Sequence, residues 1–404
     1  MQNVLIEKPY EFLPRIKSAW PQTWYCKLGL YKPTLRRLQG VEKFDCRNLD
    51  RLQASLNSGH GIILTPNHPR MADPMIMCEV ARQTPCNFYA MASWHLFNQS
   101  WSTTWMLRLM GAFSVNREGL DRQAVDQAIE ILQHAERPLL IFPEGTTSRT
   151  NDKLMALMEG PAFIARTAAK RRAKTGGKVV AHPIAIKYIF EGDLEQTCDK
   201  VLTKLESLLN WRPDSTTPLI DRIIKVGNAL LTLKELQHGI DNPSGSLRER
   251  QTALVNKLLE PLEQEWLGKS QDDGIAIRIK NLRMKIFPEM TRSKLATEER
   301  KRRWAQLEDA YLAQQVDCYP EHYVIDNPTV DRILETVEKF EEDFTDSCTI
   351  HGNLKAIIDI GEAIEVSPAR VRGVSEDPLM TSIRETLETK LKELEQESKQ
   401  YSAS

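Results

Sequence analysis

No stretch of this 404-residue sequence is apolar for long enough to cross a bilayer as a helix. The longest apolar runs, Gly61 to Pro66, Pro138 to Pro143 and Val179 to Phe190, break off well short of the roughly 18–20 residues a span needs. A basic start followed by an apolar run and a small-residue cleavage site is also missing, so no secretory leader is expected. Cysteine is sparse: seven residues, an odd number, with no Cys-x-x-Cys spacing, which argues for reduced thiols in a cytoplasmic protein. Nor is there an excess of either charge. Lys plus Arg is 54 and Asp plus Glu 55, a formal net charge of −1, which excludes a uniformly basic nucleic-acid binder and an acidic disordered chain. Repeats and low-complexity tracts are lacking too. What is present is ample core material, 41% hydrophobic against 27% charged, at a length that suits two domains or one domain with a large insertion.

The neutral total hides local asymmetry. From Met1 to Gly40 seven basic residues (Lys8, Arg15, Lys17, Lys27, Lys32, Arg36, Arg37) face two acids, with Trp20, Trp24, Tyr25 and Tyr31 among them. Between Glu159 and Glu191 there are seven more basic residues and no acid. Either run alone is equally a solvated face. Basic residues mixed with Trp and Tyr also suit an anionic membrane surface, because the rings sit at headgroup depth.

Residues 41–190 alternate short β-rich runs with helical spacing, the pattern of an α/β layer structure. Buried strands are expected at 61–65, 138–142 and 179–190, and helices at 71–82, 121–135 and 162–172. From Gly192 the character changes to long amphipathic helices at 194–209, 219–237, 246–267, 275–286, 294–315 and 329–344. Strand-like sequence returns at 356–360 and 363–366, so the helical block reads as an insertion into one sheet. Asp377-Pro378 opens a last helix with a capping residue and a proline at its first position; polar residues from Ser398 suggest a disordered tail.

Three strand ends carry polar clusters. In Asn67-His68-Pro69-Arg70-Met71-Ala72-Asp73, a histidine follows a buried strand and a carboxylate stands five positions on. Asp73 can accept a hydrogen bond from one ring nitrogen and leave the other as a base; such a pair is also a common structural contact. In Gly111-Ala-Phe-Ser-Val-Asn-Arg117, an arginine before a glycine-containing turn can clamp a phosphate with its planar fork of donors. In Phe142-Pro-Glu144-Gly145-Thr146-Thr-Ser-Arg149, a carboxylate, a glycine, hydroxyls and an arginine follow a strand, where open α/β sheets place ligands. A fourth segment, Val180-Ala-His-Pro183-Ile-Ala-Ile186, is a strand interrupted by proline, which alone reads as an edge strand.

Together and in this order, these segments resemble the glycerolipid acyltransferase family, which includes glycerol-3-phosphate and 1-acylglycerol-3-phosphate acyltransferases. His-x4-Asp at His68 and Asp73 is weak alone. Followed by Gly-x-Phe-x-x-Asn-Arg at 111–117 and Phe-Pro-Glu-Gly-Thr at 142–146 it is specific. The resemblance covers residues 45–190 and extends to the Ile360-Gly361 segment, where the family often has a late strand. It implies an α/β fold, a mixed sheet flanked by helices, here with a large helical insertion and helical termini. With the pattern along the chain, the segments read as 1–44 (basic, aromatic, helical), 45–191 (catalytic core), 192–352 (insertion), 353–375 (return of the sheet) and 376–404 (final helix and tail); 1–44 and 192–352 lie outside the resemblance.

The implied activity is transfer of a fatty acyl group from acyl-CoA or acyl-carrier protein to a hydroxyl of glycerol 3-phosphate, lysophosphatidate or a related lysophospholipid. The donor is a co-substrate, and no cofactor or metal is implied. His68 would be the general base and Asp73 its orienting partner, with direct attack and no acyl-enzyme. Asn67, Arg117, Glu144, Gly145, Thr146, Arg149 and Pro183 would form the substrate-binding set, Arg117 holding the phosphate and Pro183 shaping the acyl side. Two departures stand out. Thr147 occupies a position where the family commonly has a basic residue, leaving Arg149 or the basic stretch 166–178 to supply charge, and the insertion is large.

Other chemistries lack their residues. There is no Gly-x-Ser-x-Gly elbow; Gly268-Lys269-Ser270 has Glu263 where a phosphate loop needs its first glycine; no second close histidine supports a metal at His68, Asp73 and Glu144. A catalytically silent lipid-binding or scaffold protein on this fold is the alternative. The expected setting is cytoplasmic, peripheral to the inner face of the membrane through anionic lipid, with no nucleic-acid partner.

Overall fold

The structure, a computed structural model, describes residues 6–119, 121–292, 295–320, 322–369, 373 and 376–402. The chain divides into two compact units: residues 10–192 with 350–398, and residues 193–349 with the described ends of the chain. The first is an α/β domain. It opens with α1 (Trp20–Lys27), α2 (Tyr31–Gln39), β1 (Val41–Arg47), α3 (Leu49–Asn57) and β2 (Gly61–Pro66). There follow α4 (Asp73–Gln83), β3 (Tyr89–Ser93), a 3-10 turn at Trp94–Asn98, α5 (Trp101–Leu109), β4 (Ala112–Val115) and α6 (Arg122–His134). Next come β5 (Leu139–Leu140), α7 (Gly160–Ala173) and β6 (Val179–Phe190).

The second unit is helical: α8 (Leu194–Leu208), α9 (Leu219–Gln237), α10 (Leu247–Leu267), α11 (Ile275–Arg292), α12 (Thr297–Asp317) and α13 (Val330–Thr345). The chain then returns to the sheet as β7 (Leu354–Ile360) and β8 (Ile364–Glu365), and α14 (Pro378–Glu395) closes the domain. Among the described residues no helix is long and apolar enough to cross a membrane.

The sheet is mixed, in the order β1-β7-β6-β2-β5-β3-β4, with β8 on β6. Strands β6, β2, β5, β3 and β4 run parallel, while β7 is antiparallel to β6 and parallel to β1. β2 is buried along its whole length, as a central strand covered on both faces must be. Ala128, Ile129 and Leu132 of α6, Ala165 and Ala168 of α7, and Met380, Ile383 and Leu387 of α14 share one core with Ile63 and Ala181. The apolar stripe of α14 thus packs the sheet, and Asp377 caps it by accepting from Leu379 N.

Several expectations are corrected. β6 is central, between β7 and β2, so Pro183 does not mark an edge. It pairs with Thr65 of β2, and its carbonyl still accepts from Gly361 N at 2.7 Å. The strand expected over 138–142 pairs only at Leu139 and Leu140, because Pro143 and the turn at Gly145 lead the chain away. α11 runs past Ile286 through Pro288; a proline near the end of a helix costs one backbone bond without stopping it. Within the expected segment 1–44, helices α1 and α2 lead into β1 at Val41, and residues from Tyr10 onward fall in the unit that holds the sheet. Ser114 N donates to Leu13 O and Leu13 N donates to the Ser114 hydroxyl oxygen, and Arg15 pairs with Glu130 and Glu136. Where a disordered tail is expected from Ser398, Lys399 and Tyr401 are held by backbone bonds: Val330 N donates to Lys399 O and Tyr401 N to Pro328 O.

Candidate active site

Because β2, β5, β3 and β4 are parallel neighbours, the loops that follow them leave one edge of the sheet side by side. These loops carry His68 (after β2), Glu144 to Arg149 (after β5), His95 (after β3) and Arg117 (after β4). Residues as far apart as His68 and Ser148, 80 positions, are thereby brought into contact.

His68 Nδ1 lies 2.7 Å from Asp73 Oδ2. Asp73, fully buried at the start of α4, takes two further hydrogen bonds: from Arg70 N at 2.9 Å on Oδ2 and from the Tyr188 hydroxyl at 2.5 Å on Oδ1. A carboxylate facing Nδ1 fixes that nitrogen as the donor and makes Nε2 the basic one. Nε2 has no hydrogen-bond partner among the described residues. The imidazole stacks on Phe142 at 4.1 Å between centroids, and its backbone is clamped: His68 N donates to Glu144 Oε1 at 2.6 Å and Ser148 N donates to His68 O at 2.8 Å.

Glu144 is 1% exposed. Burial pushes its carboxyl up to about 7, against the pull of two backbone donors, Met155 N and His68 N. Both oxygens are therefore occupied, and the side chain braces the His68 loop against the loop after β5. Expected among the substrate contacts, Glu144 acts in this geometry as a brace. Gly145 supplies the left-handed backbone of that turn, at φ +69°, a conformation that costs other residues about 1 kcal/mol or more. Thr146 and Arg149 follow on the same loop, both half-buried.

Two other residues of the expected substrate-binding set also serve the fold. Asn67 is buried, and its amide is used by the backbone of Ile186, accepting from N at 2.7 Å and donating to O at 3.0 Å. It continues the β2–β6 ladder past the end of β2. Pro183 lies buried in mid-sheet, three residues before the Ile186 that Asn67 grips.

Arg117 is half-buried at the end of the β4 loop and makes no hydrogen bond or ion pair among the described residues. Desolvation lowers its pKa, opposed by nearby Glu118. Its charge is also felt by His95, which burial first and Arg117 second bring down to about 4. Gly111, which opens this segment, is at φ +86°, and an added Cβ would lie 2.5 Å from Phe88 O. The motif glycine is there because backbone closes over it.

Tyr188 and His95 were not visible as site residues in the sequence. The one signal for Tyr188 was a polar ring, beside Lys187, in an otherwise apolar strand. No group of three or more His, Cys, Asp or Glu side chains among the described residues is arranged to hold a metal ion.

Residues 43–187 match the Acyltransferase family. Over 115 residues the chain is 32% identical to the 1-acyl-sn-glycerol-3-phosphate acyltransferase of Streptococcus pneumoniae (strain ATCC BAA-255 / R6). That stretch is 28% of this chain and spans 40% of the relative. Both likenesses fall within the sheet domain, and the chain spans less than half the length of the relative it matches.

Proposed function

We propose that the chain transfers a fatty acyl group from an acyl thioester, acyl-CoA or acyl-carrier protein, to a hydroxyl of glycerol 3-phosphate or a lysophospholipid such as lysophosphatidate. The reading rests above all on the His68 imidazole, fixed through Nδ1 by Asp73 with Nε2 left unpaired among the described residues. Nε2 takes the proton of the acceptor hydroxyl as its oxygen attacks the thioester carbonyl. An O–acyl bond forms, the C–S bond breaks, and the proton passes from His68 to the leaving thiolate. No acyl-enzyme is required.

The acceptor's phosphate is assigned to Arg117. β4 stands three strand spacings from β2, about 14 Å, a gap that an arginine and a histidine reaching toward each other narrow to the span of a glycerol phosphate. A cation without an ion-pair partner, already desolvated, has much to gain from a phosphate. Gly145, Thr146 and Arg149 complete the acceptor side.

The deciding assay offers purified protein labelled acyl-CoA or acyl-carrier protein against glycerol 3-phosphate, lysophosphatidate and other lysolipids. If nothing is acylated, the silent lipid-binding alternative replaces this reading. In the same assay Arg117→Ala should raise the acceptor KM about 10- to 100-fold, the weight of a charge-assisted contact, while the donor KM moves little. An equal rise in both would detach Arg117 from the phosphate.

We also propose that the enzyme meets lipid peripherally, from the cytoplasmic face. Trp20 and Trp24 of α1 are exposed, and α5 buries no residue and presents Trp101, Trp105 and Met106 to solvent. Deleting residues 1–40 would strip buried Tyr31 and Leu35 from the core, so substitution is the better probe. Trp20→Ser with Trp24→Ser should weaken flotation with anionic vesicles about tenfold, and added salt should weaken the parent's binding. Unchanged flotation would remove α1 from the contact.

A further inference from the structure

The sheet order β2-β5-β3-β4 sets the loop after β3 between the loops that carry His68 and Arg117. The 3-10 turn of that loop holds His95, to which the general-base and phosphate assignments give no task. An acceptor reaching from His68 toward Arg117 passes His95, one strand spacing, about 5 Å, before β4.

The turn and the β4 loop are fixed to each other by the fold. Ser93 and Val115 pair across β3 and β4, and His95 and Arg117 each follow two residues later. Trp94 packs edge-on against the Tyr10 ring, with 5.7 Å between centroids. The Tyr10 hydroxyl donates to Asp121 Oδ2, which also accepts from Asn116 N at 2.9 Å. The chain neighbours of His95 and Arg117 are thus joined through one tyrosine.

Both side chains have bonding capacity to spare. His95 Nδ1 lies 2.8 Å from Ser93 Oγ, and a hydroxyl can donate to or accept from that nitrogen. Nε2 has no hydrogen-bond partner among the described residues, nor has the Arg117 guanidinium. Neither is sealed from solvent.

The charge around them is one-sided. The 3-10 turn packs against β3, β4 and α5. The two strands carry no charged side chain, and α5 carries Arg108 alone. Burial and Asp121 hold Tyr10 neutral, and the charge of Glu118 bears on Arg117. Burial first and Arg117 second therefore keep the imidazole uncharged, down at about 4. Two groups able to carry positive charge, held together with no acid between them, make a place for an anion.

We propose that His95 is a second acceptor-binding residue, its Nε2–H donating to an oxygen of the phosphate that Arg117 holds. The inference rests on the reading of a phosphorylated acceptor given above. A phosphate beside the ring favours the imidazolium, so binding draws a proton from solvent onto His95 and raises its pKa.

The test is an NMR titration of the full chain with labelled histidine rings, the His95 signal being identified by its loss in His95→Gln. At about pH 6, where the free ring is neutral, saturating glycerol 3-phosphate should move that signal toward its imidazolium position, and glycerol should not. In calorimetry at the same pH, His95→Ala should weaken glycerol 3-phosphate about tenfold with the thermal midpoint held. His95→Gln, whose amide can still donate, should weaken it less than about threefold. The signal is read on the parent chain, so a variant that misfolds does not decide the matter. If glycerol 3-phosphate binds and Arg117→Ala abolishes that binding while the His95 signal stays still, the phosphate reading stands and the role of His95 falls. If the parent shows no saturable binding of glycerol 3-phosphate, both fall together.

Discussion

Purified His68→Ala is expected to lose roughly 10²–10⁴ in acyl transfer, the usual weight of a general base, with its fold intact. Both halves follow from geometry. The imidazole supplies the one ring nitrogen that Asp73 leaves free as a base, and alanine has nothing to put there. The contacts that hold the loop are main-chain contacts, His68 N to Glu144 and Ser148 N to His68 O, and they survive the truncation. Asp73 keeps two of its three donors, Arg70 N and the Tyr188 hydroxyl, and the vacated space opens to solvent because the ring is already 14% exposed. The stability cost should therefore stay near 1 kcal/mol. Turnover and the thermal midpoint, measured on one preparation, separate the two effects. Near-parental turnover would end the general-base mechanism, and a collapsed midpoint would make the ring structural.

The sequence shows where such a site lies better than it shows what each residue does. β2 and β6 are legible because central strands are continuous apolar runs ended by turns. β1 is not, since an edge strand reading Val-Glu-Lys-Phe-Asp-Cys-Arg has no run to see. α5 is opaque for a related reason: with no buried residue, it has no face for periodicity to find. At the site, His68 and Asp73 are five residues apart and their pairing can be anticipated locally. Tyr188 joins them from 115 residues away, by a register that only the assembled sheet reveals. Asn67 and Glu144 have structural roles that their place in the sequence does not show. A polar residue after a buried strand looks like a ligand contact, yet here each satisfies main-chain groups that the end of the ladder leaves open.

Asp73→Asn is expected to cost about 10²-fold, at the low end of the general-base range, and less than Asp73→Ala. Everything turns on which way the amide faces. Oδ2 meets two donors, the backbone N–H of Arg70 and Nδ1 of His68, and a backbone N–H cannot reverse its role. The Asn oxygen must therefore stay in that position, which sends the NH2 to the site of Oδ1. The partner there is the Tyr188 hydroxyl, and a hydroxyl can rotate from donor to acceptor. The network closes again with Nδ1–H still facing an oxygen, so the ring keeps the orientation that leaves Nε2 basic, and only the negative charge that would stabilise the imidazolium is gone. The thermal midpoint should hold or rise, since a buried neutral amide is cheaper to desolvate than a carboxylate. Asp73→Ala instead removes the ring's anchor and leaves the Tyr188 hydroxyl and Arg70 N–H unpaired, so activity and stability should fall together. Tyr188→Phe is the control for the rotation argument: on its own it should cost only a few-fold, but combined with Asp73→Asn it leaves the NH2 without an acceptor, and its stability penalty should exceed the sum of the two single changes. Additive penalties in that cycle would show that the hydroxyl does not take up the amide. A loss in Asp73→Asn equal to that of His68→Ala would show that the ring had inverted.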